Sequence, residues 1–129
     1  MIPGYEISQR HLDILNEVTH RRNNPAEVLY GQLLAQILCF EESLTEDQEI
    51  GAYFVATPLN AVAISSVTYQ NPNMLVFIGQ DSEGRPHRVV QHCTQLSVSF
   101  CAIKKQKATD QPRRIGFVLW ENFVGDDEG

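Results

Sequence analysis

Reactive side chains are sparse in this chain, and the densest set lies in His87–Lys105, HRVVQHCTQLSVSFCAIKK. It holds His87, His92, Cys93 and Cys101, so metal binding and thiol chemistry are the first to weigh. A zinc site needs three or four converging N, S or O ligands. No Cys-x2-Cys or His-x3-His spacing supplies them, no acidic residue lies within the stretch, and adjacent His92 and Cys93 point apart on either a helix or a strand. No metal site is expected. A nucleophilic cysteine needs a positioned base and surroundings that lower its pKa. Cys93 and Cys101 instead stand among apolar neighbours, and with Cys39 they read as buried free thiols in a reducing cytoplasm. No Gly-x-Ser-x-Gly elbow and no glycine-rich run ending in Lys-Ser or Lys-Thr is present. The carboxylate pairs Glu41-Glu42 and Asp126-Asp127 read as solvated charges at a helix end and in the tail. The residues therefore point to binding rather than catalysis, with no catalytic residue and no cofactor expected.

Charge offers a better lead. No Lys or Arg occurs in residues 23–84, which carry eight acids, whereas 85–114 carry seven cations against Asp110 alone. Such a segment on a chain of net charge −6 can steer an anion. Arg85, Arg88, Gln91, His92, Gln95, Arg113 and Arg114 form a candidate site for a small, nucleotide-like anion, because arginine forks suit phosphate and carboxylate. The plainer reading is that the acidic and basic blocks neutralise one another within a molecule or across an oligomer contact. Duplex DNA is not expected as a partner, since the chain is acidic and shows no basic recognition helix.

Several elements must position these groups. At 129 residues the chain suits one domain, read as 1–124 with 1–22 as an N-terminal helical extension and 125–129 as a disordered acidic tail. The longest apolar run, Met74–Ile78, is far too short to span a bilayer, and the first residues show no signal-peptide pattern. A cytoplasmic protein without a membrane partner is expected. Leu12, Leu15 and Val18 give a short helix over 8–20. Asn24-Pro25-Ala26-Glu27 opens a core helix over about 24–44, its stripe made of Leu29, Leu33, Ile37, Phe40 and Leu44. Alternating and β-branched runs at 50–56, 61–70, 74–78 and 86–90, separated by Pro, Asn and Gly turns, predict an antiparallel meander. Val89, Cys93, Leu96, Phe100 and Ile103 then fall at helical spacing and predict a second core helix near 93–105, with a long strand as the alternative. Arg113–Trp120 reads as a final strand. The fold class is α+β, helices packed on an antiparallel sheet of about five strands.

Three stretches stand out together: the Asn24-Pro25-Ala26-Glu27 helix start, Gln91-His92 with Gln95-Leu96, and Arg113-Arg114-Ile115-Gly116-Phe117. In these, over most of residues 24–119, the chain resembles a bacterial and phage family of small uncharacterised domains. The resemblance implies a bacterial or phage setting and no catalytic residues. The exposed apolar end, Phe117, Leu119, Trp120 and Phe123, suits a homo-oligomer or a protein partner. The function expected is a non-enzymatic binding domain, an oligomeric protein-interaction module, with small-anion binding as the alternative.

Overall fold

The computed structural model describes residues 23–55, 57–105 and 111–128. The helix expected over 8–20 lies outside them. Helix α1 spans Pro25–Glu42, with Pro25 in its first turn. There the missing proline N–H costs nothing, because that amide has no intrahelical acceptor in any case. The Asn24 carbonyl accepts the first helical bonds, from the amides of Glu27 at 3.1 Å and Val28 at 3.4 Å. Tyr30, Leu33, Leu34 and Ile37 form the buried face. They pack on Ile50, Ala52, Phe54, Val62, Ile64, Val67, Leu75 and Phe77 of the sheet. Tyr30 spans the junction by donating its hydroxyl to the Val67 carbonyl at 2.8 Å. That bond satisfies the one polar atom the side chain brings into the core. Cys39 is exposed rather than buried, because it lies off that face.

Five strands follow: β1 (Gln48–Phe54), β2 (Thr57–Gln70), β3 (Met74–Gln80), β4 (Pro86–His92) and β5 (Val98–Lys104). They form one antiparallel sheet in the order β4-β3-β2-β1-β5. The long β2 pairs through its first half with β1 and through its second half with β3, and Ala63 faces Gly51 on one side and Gln80 on the other. Only residues 93–97 join β4 to β5 at the opposite edge. Six residue steps reach about 20 Å at most, so the sheet curls until the ends of its edge strands approach.

Two expectations need correction. The stretch 93–105 is a short 3-10 turn, Cys93–Gln95, followed by strand β5, not a core helix. All seven residues of β1 pair with β5, from Gln48 opposite Lys104 to Phe54 opposite Val98. A β1 edge left open would have cost those bonds. The helical spacing arose because this edge strand carries apolar residues on both faces. The second correction is at Arg113–Trp120: Arg113–Ile115 is extended chain, and helix α2 runs Gly116–Glu128. With β5 on β1, that edge was already taken.

Candidate functional site

The basic residues do not gather at one place. Arg85 sits in the β3–β4 hairpin, where its Nε bonds Asp81 at 3.1 Å and its Nη2 pairs with Glu83 at 2.9 Å. Arg88 is exposed along β4. Gln91 and His92 turn the corner into β5: the Gln91 amide oxygen accepts from Ser97 N–H at 3.3 Å and its nitrogen donates to the Ser97 carbonyl at 3.4 Å. His92 Nδ1 accepts the Thr94 amide at 3.2 Å and caps the 3-10 turn that contains Gln95. Leu96 then packs on the core. The Gln-His-x-x-Gln-Leu motif thus builds a corner.

The Arg-Arg-Ile-Gly motif is a latch. Two buried carboxylates, Glu41 at the end of α1 and Glu49 at the start of β1, are 7% and 6% exposed. Glu41 Oε2 accepts the Ile115 amide at 2.9 Å and Oε1 the Gly116 amide at 2.8 Å. Glu49 Oε2 accepts the Arg113 amide at 2.5 Å. The Arg114 guanidinium in turn donates to the Gln48 carbonyl at 2.7 Å and the Thr45 carbonyl at 2.9 Å. The first amides of a helix lack intrahelical acceptors. Here they are satisfied by a carboxylate on another helix, and a negative charge also suits the positive end of α2. A Cβ on Gly116 would stand 2.8 Å from Glu41 Oε1 and 3.0 Å from Leu38 Cδ2, so a larger residue there would have to push those side chains aside. Sequence reasoning took Glu41 for a solvated charge. Its place four residues after Ile37, in line with the buried stripe, is the signal that marks it as inward.

Another carboxylate organises the β3–β4 hairpin. Asp81 accepts from the amides of Glu83 at 2.9 Å and Arg85 at 3.0 Å, and bonds His87 Nε2 at 2.9 Å. The His87 bond is the largest influence holding its carboxyl well below the usual range, against burial, which pushes the other way. A carboxyl depressed on folding stabilises the fold above the unfolded value of about 4 and loses that contribution as pH falls further. The melting-temperature gap between wild type and Asp81→Asn should therefore stay constant from neutral pH down to about 4 and narrow below it. A gap already closing at pH 6 would contradict this role. Beside the hairpin, Ala61, Ala63, Gln80, Ser82, Ile103 and Lys104 border an open concavity of about 550 Å³. Burial pushes the thiol of Cys101 up, which keeps it protonated and inert. Among the described residues no group of three or more His, Cys, Asp or Glu could hold a metal ion.

The apolar residues of α2 divide. Leu119 and Phe123 pack on the core. Phe123 stands edge-on to Tyr30, centroids 5.2 Å apart, and to Tyr69 at 6.0 Å. Phe117 and Trp120 face outward, and the sequence reading missed Val118 and Val124 beside them; their exposures are 62%, 36%, 56% and 36% respectively. The two helices run antiparallel, Gly116 beside Leu38 and Phe123 beside Gly31. Between them lies a groove of about 400 Å³ lined by Val28, Gly31, Ala35, Trp120 and Phe123, with Glu27 and Gln32 at its edge. No helix among the described residues is long and apolar enough to cross a membrane. The outer side of the helix pair thus carries exposed apolar side chains, while the motif residues hold the corner and the latch beneath it.

No curated protein and no solved structure matches the chain. One family model does, across residues 19–118, from ahead of α1 through the Arg-Arg-Ile-Gly latch and into α2. That span takes in every strand of the sheet and more than half of the chain, and so the chain belongs to the family of unknown function DUF6173.

Proposed function

We propose that this protein is a non-enzymatic protein-interaction module that works as an oligomer, with the outer face of α2 as its contact surface. The observation that carries the reading is the exposure of Phe117, Val118, Trp120 and Val124 on one helix whose other side is already packed. Apolar side chains left in solvent opposite a packed helix side form a patch suited to a further contact. The polar side chains that might have served catalysis are engaged in the architecture: Asp81 and His87 in the hairpin, Gln91 and His92 at the corner, Arg114 in the latch. Anion binding through the basic segment draws less support, because Arg85 and Arg88 lie on the β4 side while Arg113 and Arg114 lie against β1. The resemblance of the motifs supports a bacterial or phage setting, and the free cysteines suit a cytoplasmic one. Light scattering after size exclusion tests the reading. The wild type should run as an oligomer, and Phe117→Glu combined with Trp120→Glu should run as a folded monomer. A wild type that stays monomeric at high concentration would sink it.

A further inference from the structure

We infer that α2 is an order–disorder switch: it folds and docks on a domain that is complete without it, and it opens by itself while α1 and the sheet stay folded. This goes beyond the interaction reading above and does not rest on it.

Three observations lead there. The first is composition. Of the residues of α2, GFVLWENFVGDDE, only Leu119, Glu121 and Glu128 are strong helix formers. Phe117, Val118 and Trp120 favour strand, which is why the stretch reads as one in the sequence. Helices shorter than about 12–15 residues are marginal in isolation even when rich in alanine, and this one has 13. It keeps its shape only where the rest of the protein imposes it. The second observation is packing. No residue of 117–125 is buried, and only Leu119 and Phe123 are half-buried. The buried core of α1 and the sheet is made without them.

Among the described side chains past Trp120, only Phe123 packs on the core. Its ring lies over Gly31, where a Cβ would stand 3.1 Å from Cε1, and edge-on to Tyr30 and Tyr69. Open clefts of about 400 Å³ and 300 Å³ flank it, one beside Ala35 of α1 and the other beside Thr68 of β2. Phe123 is a catch in a space larger than itself. The third observation is the start of the helix. Glu41 holds the amides of Ile115 and Gly116, and ordering the first turn is the costly step in forming a helix. A carboxylate on α1 thus supplies the nucleus, from which the helix grows toward the Phe123 catch. A segment nucleated at one end, caught at the other and of low helix propensity between them opens at a lower free energy than the sheet. Opening removes the apolar stripe of α2 as a surface and bares Tyr30 and Gly31 of α1. A partner of the folded helix would hold it closed by mass action. Order–disorder of a short segment is an established form of switching.

Hydrogen exchange of the full chain, read by mass spectrometry at low protein concentration, tests the switch. Amides of 119–124 should be protected about a hundredfold less than those of 75–79 in β3, and by an amount that low urea hardly changes. Phe123→Ala should lower the protection of 119–124 about tenfold further while β3 keeps its own. Asn122→Ala with Gly125→Ala, both at exposed positions, should raise it about tenfold, again without effect on β3. Equal protection of α2 and β3 would overturn the switch, as would variants that move both segments together, because α2 and the sheet would then unfold as one. A helix indifferent to Phe123→Ala would overturn it as well. So would amides with no protection at all, since there would be no closed state to open. A chain that light scattering shows to be monomeric would sink the interaction reading and leave this one standing.

Discussion

Glu41→Ala should cost about 3 kcal/mol of stability and free α2 from the rest of the domain. The side chain is 7% exposed and accepts two amides, those of Ile115 and Gly116. Bonds to a charged acceptor contribute about 1.5–3 kcal/mol each, and their loss leaves two donors without partners at the start of a helix. Against a total of roughly 5–15 kcal/mol the change is large. Glu41→Gln keeps one acceptor oxygen but turns an amide N–H2 toward the other donor, so it should fall between the two. Trp120 is the only tryptophan and sits on α2, which makes its fluorescence a direct reporter. Urea titration should show it responding before the far-ultraviolet signal of the sheet, and amide exchange at Ile115–Leu119 should quicken. Unchanged protection of those amides would show that α2 is held by its apolar contacts alone. Under the proposed interaction reading, in which α2 carries the contact face, the variant should also lose self-association.

Gly79→Ala is the second large effect, expected at about 3 kcal/mol or more. Gly79 is paired with Ile64 on one side and His87 on the other, so its backbone is fixed by neighbours in both directions. The register of β2 against β3 shifts between Ile64 and Ser66, beside this pair. An added Cβ would overlap the Ala63 carbonyl oxygen and stand 2.9 Å from both the Ala63 carbonyl carbon and Val62 Cγ1. A carbonyl in a ladder cannot turn aside as a flexible side chain can, so the strands have to part. Gly125→Ala gives the contrast, since nothing lies within 4 Å of a Cβ there. On an exposed helix that change should be neutral or stabilise by about 0.5–1 kcal/mol. Equilibrium unfolding of both variants decides the matter, and a Gly79→Ala protein as stable as the wild type would mean the strands have slack there.

Much of this architecture is written locally. The Asn-Pro start and the stripe through Leu33 and Ile37 are enough to place α1, because a helix bonds within itself and needs only a start and a face to bury. Asn71-Pro72-Asn73 and Asp81–Gly84 likewise separate strands whose partners are their neighbours in the chain. The residues singled out for chemistry were legible only as types. Gln91 and His92 are real motif residues, but their partners, Ser97 and Thr94, make them parts of a corner. Glu41 and Glu49 looked like ordinary surface acids until the chain beyond Gln111 folded back onto them.

The sequence by itself determined the α+β class, the core helix α1 and the four-strand meander, since periods and turn residues act over a few positions. It also marked an aromatic, apolar stretch near the end. Tertiary structure alone decided that 98–104 is a strand and 116–128 a helix. The reason is that both outcomes are set by distant bonds. β5 exists because β1 offers it seven residues of open edge, about fifty positions back along the chain. α2 starts where it does because Glu41 caps it from another helix, a contact that no local pattern announces. The same distant contacts turned two of the expected surface residues, Leu119 and Phe123, inward and left Phe117 and Trp120 facing out.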